Sequence, residues 1–327
     1  MEYTRLGKSG AQVSRIALGC MGFGDASKWN RGQWILNEQE SFPIVQKALE
    51  LGINYFDTAD SYCNGESEVV LGKAIKKFAN RDEVVLSTKM YFPLNDHLNG
   101  SGLSRKHIMQ SIDKCLERLQ TDYIDLLILH RFDNATPIEE TMSTLNDLVR
   151  SGKVLYLGAS AMYAWQFQKA NMIAQIKGYA PLITMQNHYN LLYREEEREM
   201  IPYCQSEGIG ITPYSPLAAG RLTRGWEADS VRFKTDLNAK QRYDSTMEQD
   251  KIIVDRVGEL ANRKNVSYTQ IALAWLLSKP YVTAPIVGAS KIEYLYDAVK
   301  ALDVKLTEQE IAYLEECYVP HFVKGPR

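Results

Sequence analysis

Four side chains that could perform acid catalysis stand at, or just after, the ends of three consecutive predicted strands. Asp57 is the last residue but one of the run NYFDT, Lys89 ends VVLSTK and His130 ends YIDLLILH, while Tyr62 follows Asp57 on the next loop. An unperturbed tyrosine has a pKa of about 10, and a nearby lysine ammonium would lower it. A carboxylate would keep the lysine charged and oriented. Such a tyrosine could donate a proton to a developing alkoxide, and a histidine could hydrogen-bond the carbonyl oxygen. The set predicts acid catalysis at a carbonyl.

Taken singly, each of these residues also has an ordinary structural interpretation. A strand-end aspartate is commonly a turn residue, a tyrosine packs in cores, a lysine is solvated, and a histidine after an apolar run is commonly hydrogen-bonded within the core. The residues alone leave both interpretations open. Carbonyl reduction also needs an electron source. Because no metal-ligand spacing or redox cysteine pair is visible in the sequence, we expect a bound nicotinamide to supply hydride.

The fold has to bring successive strand ends to one rim. Eight short, mostly apolar runs predict strands at residues 16–20, 54–58, 84–89, 123–130, 154–160, 183–187, 208–214 and 283–288. Helical patterns lie between them, and such alternation favours a (β/α)8 TIM barrel with extra helices, in a single domain spanning 1–327. A doubly wound sheet is the structural alternative, because sequence does not fix strand order.

Local signals refine this expectation. Predicted helices cover 37–52, ending in Gly52; 104–120, opening on Ser104; and 136–153, with Thr136 as cap and proline at the first helical position. The runs EYTRL and AQVSR predict an N-terminal β-hairpin at the barrel bottom. The polar segment 220–249, between the last two predicted strands, predicts a long functional or mobile loop.

Composition excludes several classes of protein. The 327 residues are 45% hydrophobic and carry a net charge of −2, which gives no electrostatic signature for binding nucleic acid or an anionic membrane. No apolar run approaches the roughly 20 residues that span a bilayer, and the N-terminus lacks the features of a signal peptide. Five scattered cysteines are typical of free thiols in a reducing compartment. We therefore expect a cytoplasmic protein without a metal site.

The strings YFDTADSYCNGESEVVLGKAI, VVLSTK and DYIDLLILH closely resemble the signature segments of the aldo-keto reductases, and the resemblance extends over residues 3–317. Longer strings, including MQNHYNLLYREEEREM and ALAWLLSKP, resemble the branch described as deoxyxylulose-phosphate-synthase-like oxidoreductases. The resemblance implies that Tyr62 is the proton donor, that Asp57 and Lys89 tune it, and that His130 orients the carbonyl.

The resemblance also implies NADP(H) bound across the barrel rim. A Rossmann-type cradle is not predicted, because GCMGFG lacks the required glycine spacing and is better interpreted as a loop at the barrel mouth. By resemblance, Ser160 and Gln186 hold the carboxamide and Tyr214 stacks on the nicotinamide. The implied pyrophosphate residues are Ser215, Leu217, Gly220 and Arg221. The implied adenosine-phosphate residues are Gly288, Ser290 and Lys291.

Four positions depart from the family pattern. Ala161 stands where many members have asparagine, which removes one carboxamide contact. Tyr294 and Ala298 replace a glutamine and an asparagine that hold adenine, and Tyr294 could stack there instead. Lys291 is cationic but lacks the bidentate fork of arginine.

The substrate side is defined by aromatic and apolar residues of the rim loops. We expect an apolar wall of Met21, Phe23, Trp29, Tyr91 and Phe132. Arg131 could neutralise an acidic substrate or pair with Asp133, and the pairing is favoured. The leading prediction is an NADPH-dependent reductase of small aldehydes or ketones. The alternatives are a nucleotide-binding regulatory subunit and a reductase dedicated to a sugar-phosphate or thiamine-precursor metabolite. Oligomeric state is not indicated.

Overall fold

The computed structural model of the chain describes residues 1–29, 34–227 and 236–325. Within them, an antiparallel hairpin of β1 (Tyr3–Arg5) and β2 (Gln12–Ser14) precedes an eight-stranded parallel sheet. The strands of that sheet are β3 (Ala17–Gly19), β4 (Tyr55–Asp57), β5 (Val85–Met90), β6 (Ile124–Leu129), β7 (Val154–Ser160), β8 (Leu182–Gln186), β9 (Gly210–Ile211) and β10 (Ile286–Gly288). All eight predicted strands are present.

The parallel sheet closes into a barrel. The strands lie side by side in the order β10-β3-β4-β5-β6-β7-β8-β9. On the remaining side, the amide of Thr283 donates to the Ile211 carbonyl oxygen at 2.8 Å, and that of Ile286 donates to the Pro213 carbonyl oxygen at 2.9 Å. The segment entering β10 therefore pairs with β9. This confirms the (β/α)8 TIM barrel and rules out an open doubly wound sheet.

Helices cover the outer face of the barrel. Those described are α1 (Glu38–Glu50), α2 (Glu66–Phe78), α3 (Arg105–Leu119), α4 (Ile138–Arg150), α5 (Ala164–Lys177), α6 (Met200–Glu207), α7 (Leu237–Tyr243), α8 (Met247–Lys264), α9 (Tyr268–Leu277), α10 (Ile292–Lys300) and α11 (Glu308–Glu315). Their apolar faces and the strands form the main core. All six residues of β6 are buried, as expected for a strand covered on both faces.

The predicted helix ends are largely correct. Asn37 caps α1 in a reciprocal capping box with Glu40, and Gly52 follows that helix with φ of 82°. Ser104 caps α3 by accepting a hydrogen bond from the amide of His107 at 3.3 Å.

The start of α4 differs from the prediction. Its first helical residue is Ile138, and Pro137 occupies the N-cap position without a side-chain cap. The hydroxyl of Thr136 donates instead to Asp133 at 2.7 Å. Thr136 therefore belongs to the turn that precedes the helix.

The N-terminal hairpin covers the end of the barrel where the strands begin. Leu6 and Val13 pack in an interior cluster with Tyr55, the first residue of β4. The amide of Ser14 donates to Asn54 Oδ1, just before β4, at 2.7 Å. The predicted hairpin is therefore confirmed, and the carboxyl ends of the strands form the opposite rim.

Candidate functional site

A buried ion pair lies at the carboxyl ends of β4 and β5. Lys89 Nζ donates to Asp57 Oδ2 at 2.6 Å and to the Thr58 carbonyl oxygen at 2.7 Å. The Lys89 and Asp57 side chains are only 1% and 3% exposed. Asp57 Oδ1 accepts hydrogen bonds from Ser87 Oγ at 2.7 Å and from Gln186 Nε2 at 2.9 Å. Both carboxylate oxygens therefore have donors, which stabilises two charges held away from water.

Tyr62 reaches this pair from a tight turn that follows β4. Residues 63–65 have φ values of 48°, 53° and 91°, and such left-handed conformations are unfavourable for residues other than glycine. The turn places the Tyr62 ring next to Lys89, whose Nζ lies 4.9 Å from the ring centroid. The phenol, the ammonium and the Asp57 carboxylate are thus brought together, as predicted.

The pKa of Tyr62 is shifted in the direction opposite to the expectation. Burial raises this pKa, the Lys89 ammonium lowers it, Asp57 raises it, and the net position is above the ordinary value. Lys89 acts in the predicted sense but is outweighed. Burial would lower the pKa of Lys89, yet Asp57 and Tyr62 outweigh burial and the pKa lies above its usual value. At neutral pH the phenol therefore keeps its proton and the amine its charge.

A second buried ion pair packs against the turn that carries Tyr62. Arg118 Nε donates to Glu68 Oε2 at 2.6 Å, and Thr88 Oγ1 donates to Glu68 Oε1 at 2.5 Å. A β-carbon on Gly65 would lie 2.8 Å from Arg118 Cδ, so the turn rests directly on this side chain. Asp60, in the same turn, is fully buried, and burial together with Glu68 raises its pKa well above the usual range.

His130 follows β6 directly and lies beside the phenol. Its ring centroid is 5.9 Å from that of Tyr62, with the ring planes at 82°. Phe92 packs edge-to-face on His130 at 4.9 Å between centroids. Arg131 Nη1 donates to the His130 carbonyl oxygen at 2.6 Å, and its guanidinium carbon lies 5.2 Å from the Phe92 ring centroid. All four residues predicted for acid catalysis therefore share one rim.

The residues predicted for the substrate wall divide into two groups. Phe23 is 1% exposed and belongs to the main core, so it supports the rim loop from inside and does not line a pocket. Trp29 lies 6.2 Å from Tyr62 between ring centroids, and Phe132 packs on Trp165 at 5.8 Å. The wall residues that keep part of their surface exposed are Met21, Trp29, Tyr91 and Phe132.

The groups expected to hold a carboxamide lie on β7 and β8. Ser160 and Gln186 are register partners at the ends of these strands, and each is 2% exposed. Because Gln186 Nε2 donates to Asp57, its Oε1 is left as an acceptor for an amide N–H. Tyr214 stacks on His188, with centroids 5.3 Å apart and planes at 10°.

The turn after Tyr214 offers donors suited to phosphate. Ser215, Leu217 and Gly220 lie on it, and four residues between 215 and 220 have positive φ, from 48° to 99°. Backbone N–H groups in such turns form concavities that bind anions. The Arg221 side chain is 3% exposed and pairs with Asp244 at 2.8 Å. This donor set fits a pyrophosphate.

The N-terminus of α10 is the expected adenosine-phosphate end. Gly288, Ser290 and Lys291 are exposed there. Lys291 occupies the N-cap position and makes no side-chain cap hydrogen bond, so its side chain does not compete with an anion for the first-turn amides. Tyr294 is 43% exposed, whereas Ala298 is fully buried and cannot reach a bound adenine.

The segment 220–249 is not the plain loop that its polar composition predicts. It continues the 3₁₀ turn Ala218–Thr223, contains α7, and leads into α8. Residues 228–235 of this segment lie outside the described residues. Within α7, the Tyr243 side chain is 2% exposed. Its hydroxyl oxygen is 2.7 Å from His188 Nε2, and this hydrogen bond fixes the helix to the rim.

Sequence reasoning missed several contacts of the site. Ser87 was detectable, because it lies two residues before Lys89 and alternate strand residues face the same side. Phe92 carried no signal beyond its proximity in sequence. The C-terminal segment 318–325 was not predicted at the rim, yet a β-carbon on Gly325 would lie 3.5 Å from Tyr214 Oη and 3.6 Å from Ala161 Cβ. That contact spans more than a hundred residues of sequence and has no local signature.

Comparison with known proteins agrees with this geometry. The sequence profile described as "Aldo/keto reductase family" matches residues 15–319. The chain belongs to the aldo/keto reductase family. A relative named versiconal hemiacetal acetate reductase, from Aspergillus parasiticus, is 48% identical over 340 residues, covering 98% of both chains. The aldo-keto reductase dtxS3 of Metarhizium robertsii is 40% identical over 349 residues, covering 99% of this chain and 93% of the relative.

A third relative of this aldo/keto reductase is named as a dehydrogenase and not as a reductase. It comes from Schizosaccharomyces pombe, is named "Putative aryl-alcohol dehydrogenase C977.14c", and is 44% identical over 351 residues, covering 99% of this chain and 97% of its own. These names do not support the deoxyxylulose-phosphate-synthase-like branch. Across the described residues, no helix is long and apolar enough to cross a membrane. In the same part of the chain, no group of three or more His, Cys, Asp or Glu side chains could hold a metal ion.

Proposed function

We propose that this aldo/keto reductase uses NADPH to reduce aldehydes or ketones to alcohols, with Tyr62 as the proton donor. The observation that carries the proposal is the contact of Tyr62 with a lysine that is itself buried and paired with Asp57. A lysine that served only as a surface charge would not be held by a 2.6 Å ion pair at 1% exposure.

Each residue of the site has a distinct role in this proposal. A nicotinamide held beside Tyr62 by Ser160 and Gln186 would supply the hydride for the carbonyl carbon. Tyr62 hydrogen-bonds the carbonyl oxygen and transfers its phenolic proton there as the alkoxide forms. Lys89 stabilises the resulting phenolate, and Asp57 holds Lys89 charged and oriented. His130 borders the same oxygen and orients the carbonyl.

The cofactor assignment rests on the donors at the rim. Ser160 and Gln186 would hold the carboxamide, Tyr214 would stack on the nicotinamide, and the turn at 215–220 with Arg221 would bind the pyrophosphate. Lys291 and the N-terminus of α10 would bind the 2′-phosphate, which would favour NADPH over NADH.

Two alternatives receive less support. A nucleotide-binding regulatory subunit would not need the buried Asp57–Lys89 pair beside Tyr62. A reductase dedicated to a sugar-phosphate or thiamine-precursor metabolite was suggested by the branch resemblance, which the names of the relatives do not support. We therefore retain the general carbonyl reductase.

Steady-state consumption of NADPH, followed by absorbance with a panel of aromatic and aliphatic aldehydes and ketones, tests the proposal. We expect turnover of aldehydes with NADPH and formation of the corresponding alcohol. Binding titrations with NADPH and NADH run in parallel. Tight NADPH binding without reduction of any carbonyl compound would favour the regulatory subunit.

A further inference from the structure

The turn that carries Tyr62 holds backbone conformations that its residues do not favour. Cys63 and Asn64 have φ values of 48° and 53°, in the left-handed region that suits glycine. Strained residues of this kind persist only where the surrounding structure fixes them. Local hydrogen bonds, such as that from the amide of Tyr62 to the carbonyl oxygen of Ala59 at 3.1 Å, shape the turn but do not join it to Lys89.

The turn is joined to β5 on both sides of Tyr62. Before Tyr62, the amide of Asp60 donates to the carbonyl oxygen of Lys89 at 3.0 Å. After Tyr62, Glu68 Oε1 accepts a hydrogen bond from Thr88 Oγ1 at 2.5 Å. Thr88 directly precedes Lys89 on β5, and Glu68 lies in the first turn of α2. The second connection therefore depends on how Glu68 is held.

Arg118, on α3, holds that glutamate and supports the turn as well. Its Nε donates to Glu68 Oε2 at 2.6 Å, and the Glu68 side chain has no exposed surface. A β-carbon on Gly65 would lie 2.8 Å from both Cδ and Nε of Arg118, so the turn rests on the arginine side chain. The base of that side chain is fixed too. A β-carbon on Gly72 would lie 2.6 Å from the carbonyl group of Leu119, so the backbones of α2 and α3 are in direct contact.

The buried pair supplies direction more than stability. Loss of hydration offsets much of the attraction between two buried charges, and apolar side chains of similar volume often stabilise a protein equally well. An apolar side chain would not bond to two fixed donors, whereas the two oxygens of Glu68 accept from Thr88 on β5 and from Arg118 on α3. These bonds set the position of the turn relative to Lys89, whose Nζ lies 4.9 Å from the centroid of the Tyr62 ring.

Resting on the reductase function proposed above, we propose that Arg118 and Glu68 are positioning residues, which hold the Tyr62 phenol at the place beside Lys89 that proton transfer requires. They act through the turn and not on the carbonyl itself. A displacement of about 1 Å at a reacting group can slow a reaction about 100-fold. We therefore expect loss of the pair to slow reduction by roughly 10- to 100-fold. Binding of NADPH should change little, because its expected donors lie on other elements of the rim.

Single-turnover reduction with saturating NADPH tests the proposal by comparing Arg118→Met with Arg81→Met. Arg81 is a matched control, because it forms a similar pair with Asp125 at 2.6 Å, and the Arg81 and Arg118 side chains are 21% and 19% exposed. Its guanidinium also donates to the carbonyl oxygen of Tyr123, just before β6, at the end of the barrel opposite the rim. Both variants should lower Tm. Only Arg118→Met should lose rate, by at least about tenfold, with the dissociation constant for NADPH close to that of wild type.

A double variant distinguishes positioning from a general loss of structure. In Tyr62→Phe the phenolic proton is already gone, so the further change Arg118→Met should lower the residual rate by less than about threefold. A loss of about tenfold or more in that background would overturn the proposal, because the effect would not pass through Tyr62. An Arg118→Met rate within about threefold of wild type, or an equal loss of rate in Arg81→Met, would overturn it as well.

Two additions make the remaining outcomes decisive. If Arg118→Met does not fold, Thr88→Val replaces it, since valine keeps the side-chain shape and removes the hydrogen bond to Glu68. We expect Thr88→Val to slow reduction by at least about threefold, and a smaller loss would overturn the proposal. Tyr62→Phe alone, in the same assay, tests the reductase function separately. If it matches wild type, the proton donor is wrong and the positioning role falls with it; if it is slow while Arg118→Met is fast, only the positioning role is wrong.

Discussion

Removing the charge of Lys89 should destabilise the protein more than a single side-chain contact suggests. In Lys89→Met, Asp57 remains buried without its counter-ion, and loss of one partner of a buried pair typically costs about 3–5 kcal/mol. Asp57 still accepts hydrogen bonds from Ser87 and Gln186, at 2.7 and 2.9 Å. These two neutral donors offset part of the penalty, so we expect a loss of about 3 kcal/mol.

That loss converts into a measurable shift in melting temperature. Unfolding entropy is roughly 2.1 cal/mol/K per residue, which for the 327 residues of the chain gives about 0.7 kcal/mol/K. A loss of about 3 kcal/mol therefore lowers Tm by about 4 °C. Differential scanning calorimetry, with urea unfolding as the equilibrium check, measures the effect in the cofactor-free protein.

The double variant Asp57→Asn/Lys89→Met is the critical comparison. It removes both charges and leaves no uncompensated carboxylate, so it should recover at least half of the Tm lost by Lys89→Met. If the double variant loses as much Tm as the two single variants lose together, this reasoning is refuted. The two side chains would then not function as a coupled buried ion pair.

Three other predictions concern the cofactor, the pH profile and the turn. Lys291→Ala should raise the dissociation constant for NADPH and leave that for NADH nearly unchanged, as measured by fluorescence titration; equal effects on both cofactors would contradict the phosphate contact. Burial, and to a smaller extent Asp57, raise the pKa of Tyr62, so the rate of carbonyl reduction should decline only at strongly alkaline pH. In Asp57→Asn the residual activity should decline at a lower pH than in wild type. An unchanged pH profile would show that Asp57 does not influence the titrating phenol. Gly65→Ala should cost at least about 1–2 kcal/mol of stability. The φ of Gly65 is 91°, and the new methyl group would lie 2.8 Å from Arg118 Cδ. A Tm within 1 °C of wild type would show that the turn relaxes freely.

The barrel and the four residues at its rim were predictable because their signals are local. Most strands are short, mainly apolar runs, and Asp57, Lys89 and His130 stand at the ends of such runs. In a parallel barrel those ends meet at one rim. Alternate residues of a strand face the same side, so Ser87, two residues before Lys89 on β5, can also be identified as a partner of Asp57.

Other features depend on balances or contacts that sequence does not display. The direction of the Tyr62 pKa shift follows from burial outweighing Lys89, and burial is a property of the folded rim. Phe23 resembles the other aromatic residues of the rim loops, but it packs inward. Arg242 and Gly325 meet Tyr214 from distant parts of the chain, so no spacing rule predicts either contact.

Single-turnover reduction by Tyr62→Phe tests the central claim most directly. The enzyme is saturated with NADPH, mixed with an aldehyde that wild type reduces, and followed by loss of NADPH absorbance, with Tyr296→Phe as the control at an exposed tyrosine. We expect the rate constant of Tyr62→Phe to fall by roughly 10²–10⁴-fold, while NADPH binding persists and the control matches wild type. A Tyr62→Phe rate within threefold of wild type would contradict the assignment of Tyr62 as the proton donor.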